Sequence, residues 1–402
     1  MNCGAAGLPY IVHCATPLRE DLPVQSVLQA ALACVVGAVE TTTDPSGVTF
    51  HRSSSTVRAR LDDMGLDSMS AVPAGIRMEA LTDASALILD VQLTEFLMLG
   101  ATSSGSAFDL VLDGELRDPV TTTEQTLVVI DPVTWTMEHQ PTGPATLRFD
   151  LGVSEVERRV EIWFPAGAML KLLDVRINDG SSLRPAPTAG PLWVHHGSSI
   201  SQCAEADRPT GTWPAIVARS AGRSLLNLAL AGQSHLDQFT ARTIRDLPAT
   251  AISLELGLNV LSTDSMRERA FVSAFHGFLD TIRDGHPTTP IVIVTPIICP
   301  IAEHHPGPTP LGRDQQIRVI ERPADLTAEA LSLSRIRSLL HQHAAIRRKE
   351  GDTNLHTIDG LALFGPGDAG DLTDGLHPNA SGYRRIAERF LPLAFGGDGP
   401  LR

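Results

Sequence analysis

The spacing of hydrophobic side chains changes once along the chain, near residue 185. Before that point, short runs alternate apolar and polar residues and are separated by turns rich in Gly, Asp and Pro. The clearest runs are residues 48–51, 86–93, 107–112, 125–130, 146–151 and 159–164. A period of two with frequent turns is typical of strands that bury one face. This part of the chain therefore predicts an antiparallel β-sandwich of jelly-roll type.

Beyond residue 191 the strand-like runs are continuously apolar and alternate with amphipathic stretches of helical period. The apolar runs are residues 192–195, 225–230, 252–256, 291–295 and 355–358. The helical stretches are residues 213–221, 236–246, 266–284, 327–349 and 380–393. Strands that are apolar on both faces and alternate with helices indicate a parallel sheet covered by helices on both sides. The sequence thus predicts a five-stranded α/β domain.

The two patterns meet at a segment rich in Pro, Gly and Ser, residues 179–191. With 402 residues the chain is also too long for one ordinary core. We therefore predict an N-terminal extension with a possible helix at residues 1–40, a β-sandwich domain at 41–185 and an α/β domain at 191–402. The first fifteen residues are expected to be poorly ordered.

Composition narrows the classes of partner and the compartment. A net charge of −14 disfavours nucleic acid and anionic membranes as partners. Five cysteines without CxxC spacing indicate reduced thiols. The longest apolar run, residues 27–39, is shorter than the ~20 residues of a membrane helix and follows mixed charges that are not typical of a signal peptide. A cytoplasmic protein is expected.

Candidate chemistry lies after the predicted strands. Ser199 follows the first strand, and Asp374 and His377 precede the last helix. The carboxyl ends of parallel strands meet at one edge of a sheet, so these side chains are expected to converge. His377 would take the serine proton while Asp374 holds its other ring nitrogen. The structural alternatives are a serine that caps a helix and an Asp-Gly turn that caps the final one.

Two further positions could stabilise negative charge on a substrate oxygen. Gly232 follows the second strand and could offer a backbone N–H. Asn259 follows the third strand and could offer its side-chain amide. Donors of this kind are required where an oxyanion develops during acyl transfer. The structural alternatives are a turn glycine and a loop asparagine.

Other residues in the sequence compete for these roles. Ser234 lies in a Gly-Gln-Ser-His-Leu segment that resembles a nucleophile elbow but lacks its second glycine. Asp359 ends the fifth strand and competes with Asp374 for the carboxylate role. The histidine pairs 195–196, 304–305 and 341/343 have no carboxylate or thiolate at ligand spacing. We therefore expect neither a metal nor a cofactor. Residues 300–325, rich in Pro, His and Gly, are expected to cover the site.

The segments that carry these residues resemble the sequence blocks of the SGNH, or GDSL-type, serine hydrolases. The matching segments, within residues 193–395, are 197–201, 227–232, 257–260 and 374–379. Ser198 and Val260 depart from the family pattern, where aspartate is usual or frequent. The resemblance implies a flavodoxin-like α/β/α fold. It also implies an oxyanion hole formed by the backbone N–H of Ser199 together with Gly232 and Asn259.

The resemblance also implies an activity. It predicts a serine esterase that hydrolyses a carboxylic ester through an acyl-enzyme. The alternative is an acyltransferase that moves the acyl group of an ester or thioester to a hydroxyl of a sugar or polyketide. A sandwich followed by this domain is similar to a branch of the family that includes an acyltransferase of a tetracycline pathway. A third hypothesis is a binding module with an idle triad.

Overall fold

The computed structural model describes residues 23–402. The predicted disorder of residues 1–15 falls outside this range. Two largely antiparallel sheets form the N-terminal part, and a parallel five-stranded sheet forms the C-terminal part. The predicted fold class, an α/β protein with an N-terminal β-sandwich, is confirmed.

The N-terminal part is built mainly from strands that pair out of chain order. These strands are β1 (Val24–Ser26), β2 (Val35–Val36), β3 (Glu40–Asp44), β4 (Gly47–His51), β5 (Arg77–Thr82), β6 (Ala86–Met98), β7 (Ser106–Leu112), β8 (Glu115–Leu116), β9 (Val120–Thr122), β10 (Thr126–Ile130), β11 (Met137–Gln140), β12 (Ala145–Asp150), β13 (Arg158–Trp163), β14 (Ala168–Asn178) and β15 (Leu183–Pro185). One sheet has the order β11-β10-β6-β14-β4-β3, with β1 beside β14 and β12 beside β6. The other has the order β15-β5-β13-β7-β8, with β2 beside β5 and β9 beside β7.

The two sheets enclose one apolar core, as the period-two pattern requires. On β12, for example, Ala145, Leu147 and Phe149 are buried while the residues between them are exposed. Phe50 of the first sheet stacks on Phe164, next to the second, with ring centroids 5.9 Å apart. Strands β6 and β10 run parallel, whereas the other described pairs in these sheets are antiparallel.

Residues before position 41 take part in both sheets of the sandwich. Strand β1 pairs with β14, and β2 pairs with β5. The helix α1 (Leu28–Leu32) buries Ala31 in the sandwich core. This helix lies within the extension, where a helix was expected, and has five residues. We therefore propose that the sandwich domain begins before residue 41.

Two short helices, α2 (Ser55–Leu61) and α3 (Met64–Ser70), interrupt the sandwich after β4. Ser54 and Asp63 cap them by accepting backbone N–H groups of the first turn. Their apolar side chains do not enter the sandwich core. Val57 and Leu66 instead pack against Leu230 of the C-terminal part.

The C-terminal part alternates strands and helices, as predicted. Its elements are β16 (Leu192–His196), α4 (Ser199–Gln202), α5 (Trp213–Ala221), β17 (Ser224–Asn227), α6 (Gln238–Asp246), β18 (Ala251–Glu255), α7 (Leu258–Ser262), α8 (Glu268–Gly285), β19 (Ile291–Val294), α9 (Leu333–Lys349), β20 (Leu355–Ile358), α10 (Gly360–Leu363) and α11 (Ala380–Phe395). Short 3₁₀ turns lie at Pro209–Gly211, Pro300–Ala302, Ala324–Leu326 and Pro366–Asp371. The helix predicted from residue 327 begins at Leu333, because Ser332 caps it by accepting the Arg335 N–H.

The parallel sheet has the order β17-β16-β18-β19-β20. In chain order this is the 2-1-3-4-5 arrangement of flavodoxin-like folds. Helix α5 packs against α11, and α6 against α8. The order reverses at β16, so the expected ligand crevice lies beyond the carboxyl ends of β16 and β18. None of the helices within residues 23–402 is both long and apolar enough to cross a membrane.

Candidate active site

Ser199 is the first residue of α4, directly beyond the first strand of the parallel sheet. Ser198 caps this helix, since its hydroxyl accepts the Ile200 N–H at 3.2 Å. Ser199 is partly exposed, whereas the residues on either side of it are buried. The capping role therefore belongs to Ser198, and the Ser199 hydroxyl takes no part in capping.

The structure brings Ser199, His377 and Asp374 into one hydrogen-bonded chain. The Oγ of Ser199 lies 2.8 Å from Nε2 of His377, although the residues are 178 positions apart. On the other side of the ring, Nδ1 lies 2.7 Å from Oδ2 of Asp374. A carboxylate at Nδ1 fixes the proton there, so Nε2 is the nitrogen that can accept the serine proton.

A tight turn holds Asp374 in this position. Its Oδ1 accepts the backbone N–H groups of Leu376 and His377 at 2.9 and 2.8 Å. Gly375 has a φ of +90°, which the turn requires and which other residues rarely adopt. Helix α11 is capped instead by Asn379, whose Oδ1 accepts the Gly382 N–H at 2.9 Å. Asp374 is therefore not the cap of the final helix.

The electrostatics favour a protonated ring and an ionised carboxylate. Burial lowers the pKa of His377, but the charges of Glu205 and Asp374 outweigh it and raise that pKa to about 9. Burial raises the pKa of Asp374, yet the hydrogen bond and charge of His377 leave it below its usual value. The imidazolium that forms when His377 takes a proton is thus well stabilised.

Glu205 was not predicted from the sequence. Its Oε1 lies 4.0 Å from Nδ1 of His377, and its Oε2 accepts the Tyr383 hydroxyl at 2.7 Å. Tyr383 is buried on α11, and its own pKa is raised, first by burial and then by Glu205. A lone glutamate in a loop six residues after the serine belongs to no motif, so the sequence carried no signal for it.

Three hydrogen-bond donors lie at the same edge of the sheet without an acceptor among residues 23–402. They are the backbone N–H groups of Ser199 and Gly232 and the side-chain amide of Asn259. Asn259 is only 4 % exposed, and its Oδ1 accepts the Ser234 N–H at 3.0 Å, which fixes the amide orientation. Gly232 is exposed and has a φ of +72°. Unpaired donors in this setting can bind a developing oxyanion.

A buried glutamate holds Ser198, the residue before the proposed nucleophile. Oε2 of Glu255 accepts the N–H and the hydroxyl of Ser198 at 2.7 and 2.6 Å. Burial raises the pKa of Glu255. A Cβ at Gly197 would meet Oε2 of Glu255 at 2.8 Å and Oγ of Ser201 at 2.5 Å. Gly197 is therefore required for space and not for backbone freedom, because its φ is not positive.

The structure places the rival residues in other surroundings. Ser234 is 2 % exposed, and its hydroxyl lies 3.1 Å from Nε2 of His196. Nδ1 of His196 faces the Leu228 carbonyl at 2.9 Å, so no carboxylate orients this pair. Asp359 caps α10 by accepting the Leu361 N–H at 3.0 Å. Among residues 23–402 no three His, Cys, Asp or Glu side chains are grouped to hold a metal ion.

Comparison with known proteins confirms the predicted family resemblance. The model of the GDSL-like lipase/acylhydrolase family matches residues 192–305. A search of curated proteins gives no match. Among solved structures, the salicylyl-acyltransferase SsfX3 from a tetracycline biosynthetic pathway is 27 % identical, with a TM-score of 0.76. The match covers 96 % of this chain and all of that one.

Two more distant structures share the fold. A putative GDSL-like lipase from Bacteroides ovatus is 20 % identical, with a TM-score of 0.66, and the match covers 92 % of this chain and 96 % of that one. A family two carbohydrate esterase from Clostridium thermocellum is 15 % identical, with a TM-score of 0.55, over 89 % and 97 %. The family match over residues 192–305 and the end-to-end likeness to SsfX3 indicate an enzyme of the SGNH type, an esterase or acyltransferase. These likenesses favour an enzyme over the binding module.

Proposed function

We propose that this enzyme is a serine esterase that hydrolyses a carboxylic O-acyl ester through an acyl-enzyme. The observation that carries the proposal is the 2.8 Å contact between Oγ of Ser199 and Nε2 of His377. A serine hydroxyl is a weak nucleophile until a neighbouring base removes its proton. The contact supplies that base, and Asp374 orients it from the other side of the ring.

In the acylation step, Oγ of Ser199 attacks the carbonyl carbon of the ester while Nε2 of His377 takes the hydroxyl proton. The carbonyl oxygen becomes negative and is bound by the N–H groups of Ser199, Gly232 and Asn259. The C–O bond to the alcohol then breaks. His377 returns its proton to the leaving alcohol, and the acyl group remains on Ser199.

In the second step the same groups act in reverse. His377 removes a proton from water, the resulting oxygen attacks the acyl carbonyl, and the ester bond to Ser199 breaks. The proton on Nε2 returns to Oγ of Ser199 as the acid leaves. Asp374 stabilises the imidazolium in both steps without becoming protonated.

Acyl transfer to a hydroxyl is the second candidate. The observation that favours it is the 27 % identity and end-to-end match to SsfX3, which is described as a salicylyl-acyltransferase. The same acyl-enzyme would then be resolved by an alcohol, such as a hydroxyl of a sugar or natural product, instead of water. The acyl donor would be a small-molecule ester or thioester. The two reactions differ only in whether water or an alcohol attacks the acyl carbonyl.

Labelling with a fluorophosphonate probe tests the shared chemistry. The parent enzyme is expected to be labelled on Ser199, and Ser199→Ala is expected to abolish labelling. Ser234→Ala is the matched control, because that serine also faces a histidine but is buried. Loss of labelling in Ser234→Ala with retention in Ser199→Ala would reverse the assignment.

Product analysis separates the two outcomes. The enzyme is incubated with a p-nitrophenyl ester or an acyl thioester, with and without a candidate hydroxyl acceptor. Hydrolysis predicts free acid at the same rate in both mixtures. A new ester formed at the expense of free acid would overturn the esterase assignment in favour of acyl transfer.

We also propose a cytoplasmic location. The three cysteines in the described part of the chain, Cys34, Cys203 and Cys299, are buried and unpaired. Burial raises the pKa of Cys34 and of Cys299 to about 11, so these thiols resist ionisation. Free thiols are typical of a reducing compartment. Fractionation of the native cells tests the location, and recovery of the enzyme outside the cytoplasm would refute it.

A further inference from the structure

A buried arginine of the sandwich reaches the loop that carries Gly232. Arg52 directly follows β4 and is 1 % exposed. Its Nε donates to the Val72 carbonyl at 2.6 Å, and its Nη2 donates to the Met69 carbonyl at 2.6 Å. Its Nη1 donates to the carbonyl of Ala229 in the C-terminal part. Buried arginines usually have an acidic partner, but within residues 23–402 this one has none. Its contacts are neutral oxygens on both sides of the junction.

Gln202 connects the same guanidinium to the helix that carries Ser199. It lies three residues after Ser199 on α4 and is buried. Its Oε1 accepts from Nη2 of Arg52 at 3.0 Å and from the Ala231 N–H at 3.1 Å. One side-chain oxygen therefore joins the sandwich, the helix of the proposed nucleophile and the Leu230–Ala231 peptide, which is next to the peptide that carries the Gly232 N–H.

These contacts fix the two peptides before the one that carries the Gly232 N–H. The Ala229 carbonyl is held by Arg52, and the Ala231 N–H is held by Gln202. The Leu230 N–H donates to the Gly197 carbonyl at 2.9 Å. Gly232 follows with its positive φ and an N–H that has no acceptor among the described residues. The Gly232 N–H thus follows two anchored peptides, which limit the directions in which it can point.

We propose that Arg52 and Gln202 are positioning residues that aim the Gly232 N–H at the substrate oxyanion. The inference rests on the proposed acyl-enzyme mechanism. It assigns the sandwich a role in the reaction itself, because Arg52 lies outside the α/β region. Oxyanion donors act only when they are fixed in advance, so a loosened turn weakens transition-state binding and leaves substrate binding largely intact.

Substitutions at Gln202 test this with little change in side-chain volume. Gln202→Met fills the same space without a strong acceptor, so both bonds to Oε1 are lost. We expect kcat for a p-nitrophenyl ester to fall about 30-fold or more with KM within about twofold. Gln202→Glu keeps a side-chain oxygen for Arg52 and Ala231, and we expect it to restore most of the lost kcat.

A transition-state analogue provides a readout that lost stability alone would not change. An arylboronic acid forms a tetrahedral adduct with the serine, so its affinity should fall in Gln202→Met by about the same factor as kcat/KM. The control is Arg77→Met. Arg77 is also a buried sandwich arginine, but it donates to the Leu225 carbonyl within β17, away from the Gly232 turn. We expect this variant to lose stability and keep its kcat.

The outcomes separate this inference from the mechanism on which it rests. Turnover that does not depend on Ser199 would overturn the mechanism. Turnover that depends on Ser199 but stays within about threefold of the parent in Gln202→Met would overturn only the positioning role. An equal loss of kcat in Arg77→Met would also overturn it. If Gln202→Met does not fold, Gln202→Asn serves instead, because its shorter amide cannot reach both partners.

Discussion

The α/β region and the sandwich region contribute differently to the same site. Ser199, His377, Asp374, Gly232 and Asn259 all lie in the α/β region, at one edge of its parallel sheet. The sandwich contributes buried charged groups that reach across the junction. These are Arg52, Arg77 and Asp109. The comparison indicates that the proposed chemistry lies in one region, while the other stabilises the junction and, through Arg52, holds the turn before Gly232.

A second connection reaches the site through the loop between β19 and α9. Within the segment predicted to cover the site, the Ile317 N–H donates to the Asp374 carbonyl at 3.2 Å. Arg313 of the same segment pairs with Asp131 of the sandwich at 2.7 Å. Gln315 donates to the Leu99 carbonyl at 2.8 Å. The sandwich is thus connected to the acid of the proposed triad as well as to the oxyanion loop.

If this division is correct, variants of the proposed catalytic groups in the α/β region should change the rate far more than they change the stability. The largest effect is expected for Asn259→Ala, which removes a proposed oxyanion donor. We expect kcat to fall about 10²–10³-fold with a small change in KM, measured with a p-nitrophenyl ester. Asn259→Asp is the companion, because it keeps the acceptor for the Ser234 N–H and removes the donor. Full activity in that variant would show that Asn259 only supports the loop.

Variants of sandwich residues that do not contact the Gly232 turn should lose stability and keep their rate. Asp109 is fully buried on β7 and accepts from Nε of Arg208 at 2.8 Å and from the Thr210 N–H at 2.7 Å. Asp109→Ala leaves these donors unpaired and should lower the free energy of unfolding by about 2–4 kcal/mol. Denaturant unfolding measures this.

At temperatures well below the unfolding midpoint, kcat of Asp109→Ala should stay within about twofold of the parent. Arg148→Met is a control for loss of an ion pair at the sandwich surface. Arg148 pairs with Asp150 at 2.9 Å, and both are largely exposed, so little stability should be lost. A fall in kcat without a loss of stability in Asp109→Ala would contradict the division between the regions.

The two regions also differed in how much the sequence revealed. The five parallel strands were predicted because strands buried on both faces are apolar at every position, as Ile291–Val294 shows. Strand β14 was not singled out. Its half-buried positions include Lys171, Asp174 and Arg176, and a bulge between Leu172 and Asp174 shifts its alternation. A period-two pattern that changes phase is hard to recognise.

The residues of the candidate site also divide into those that the sequence pattern predicts and those that it does not. Ser199, Asp374 and His377 could be predicted because they lie in short segments with fixed spacing at strand ends. Arg52, Glu205 and Glu255 could not, since each acts through tertiary contacts with residues more than fifty positions away. Helices α2 and α3 were missed for a related reason. Each has seven residues, and their apolar side chains contact Leu230 of the other region.

The smallest predicted change in activity concerns Glu205, the second carboxylate beside His377. The groups that face this imidazole are Asp374, Glu205 and the Ser199 hydroxyl. Its raised pKa, about 9, keeps the ring protonated at neutral pH, and a protonated ring cannot accept the serine proton. kcat/KM should therefore rise with pH, with its midpoint on the alkaline side of the ordinary histidine value.

Glu205→Gln removes one of the charges that raise this pKa, so the midpoint of the pH profile should move toward lower pH. The rate at neutral pH should then rise, while the alkaline plateau falls a few-fold, because the imidazolium formed in the transition state loses a neighbouring charge. Asp207→Asn is the matched control, since Asp207 lies in the same loop but pairs with Arg384 at 2.9 Å. An equal shift in both variants would trace the effect to net charge. An unchanged midpoint in Glu205→Gln would leave Asp374 as the carboxylate that sets the basicity of His377.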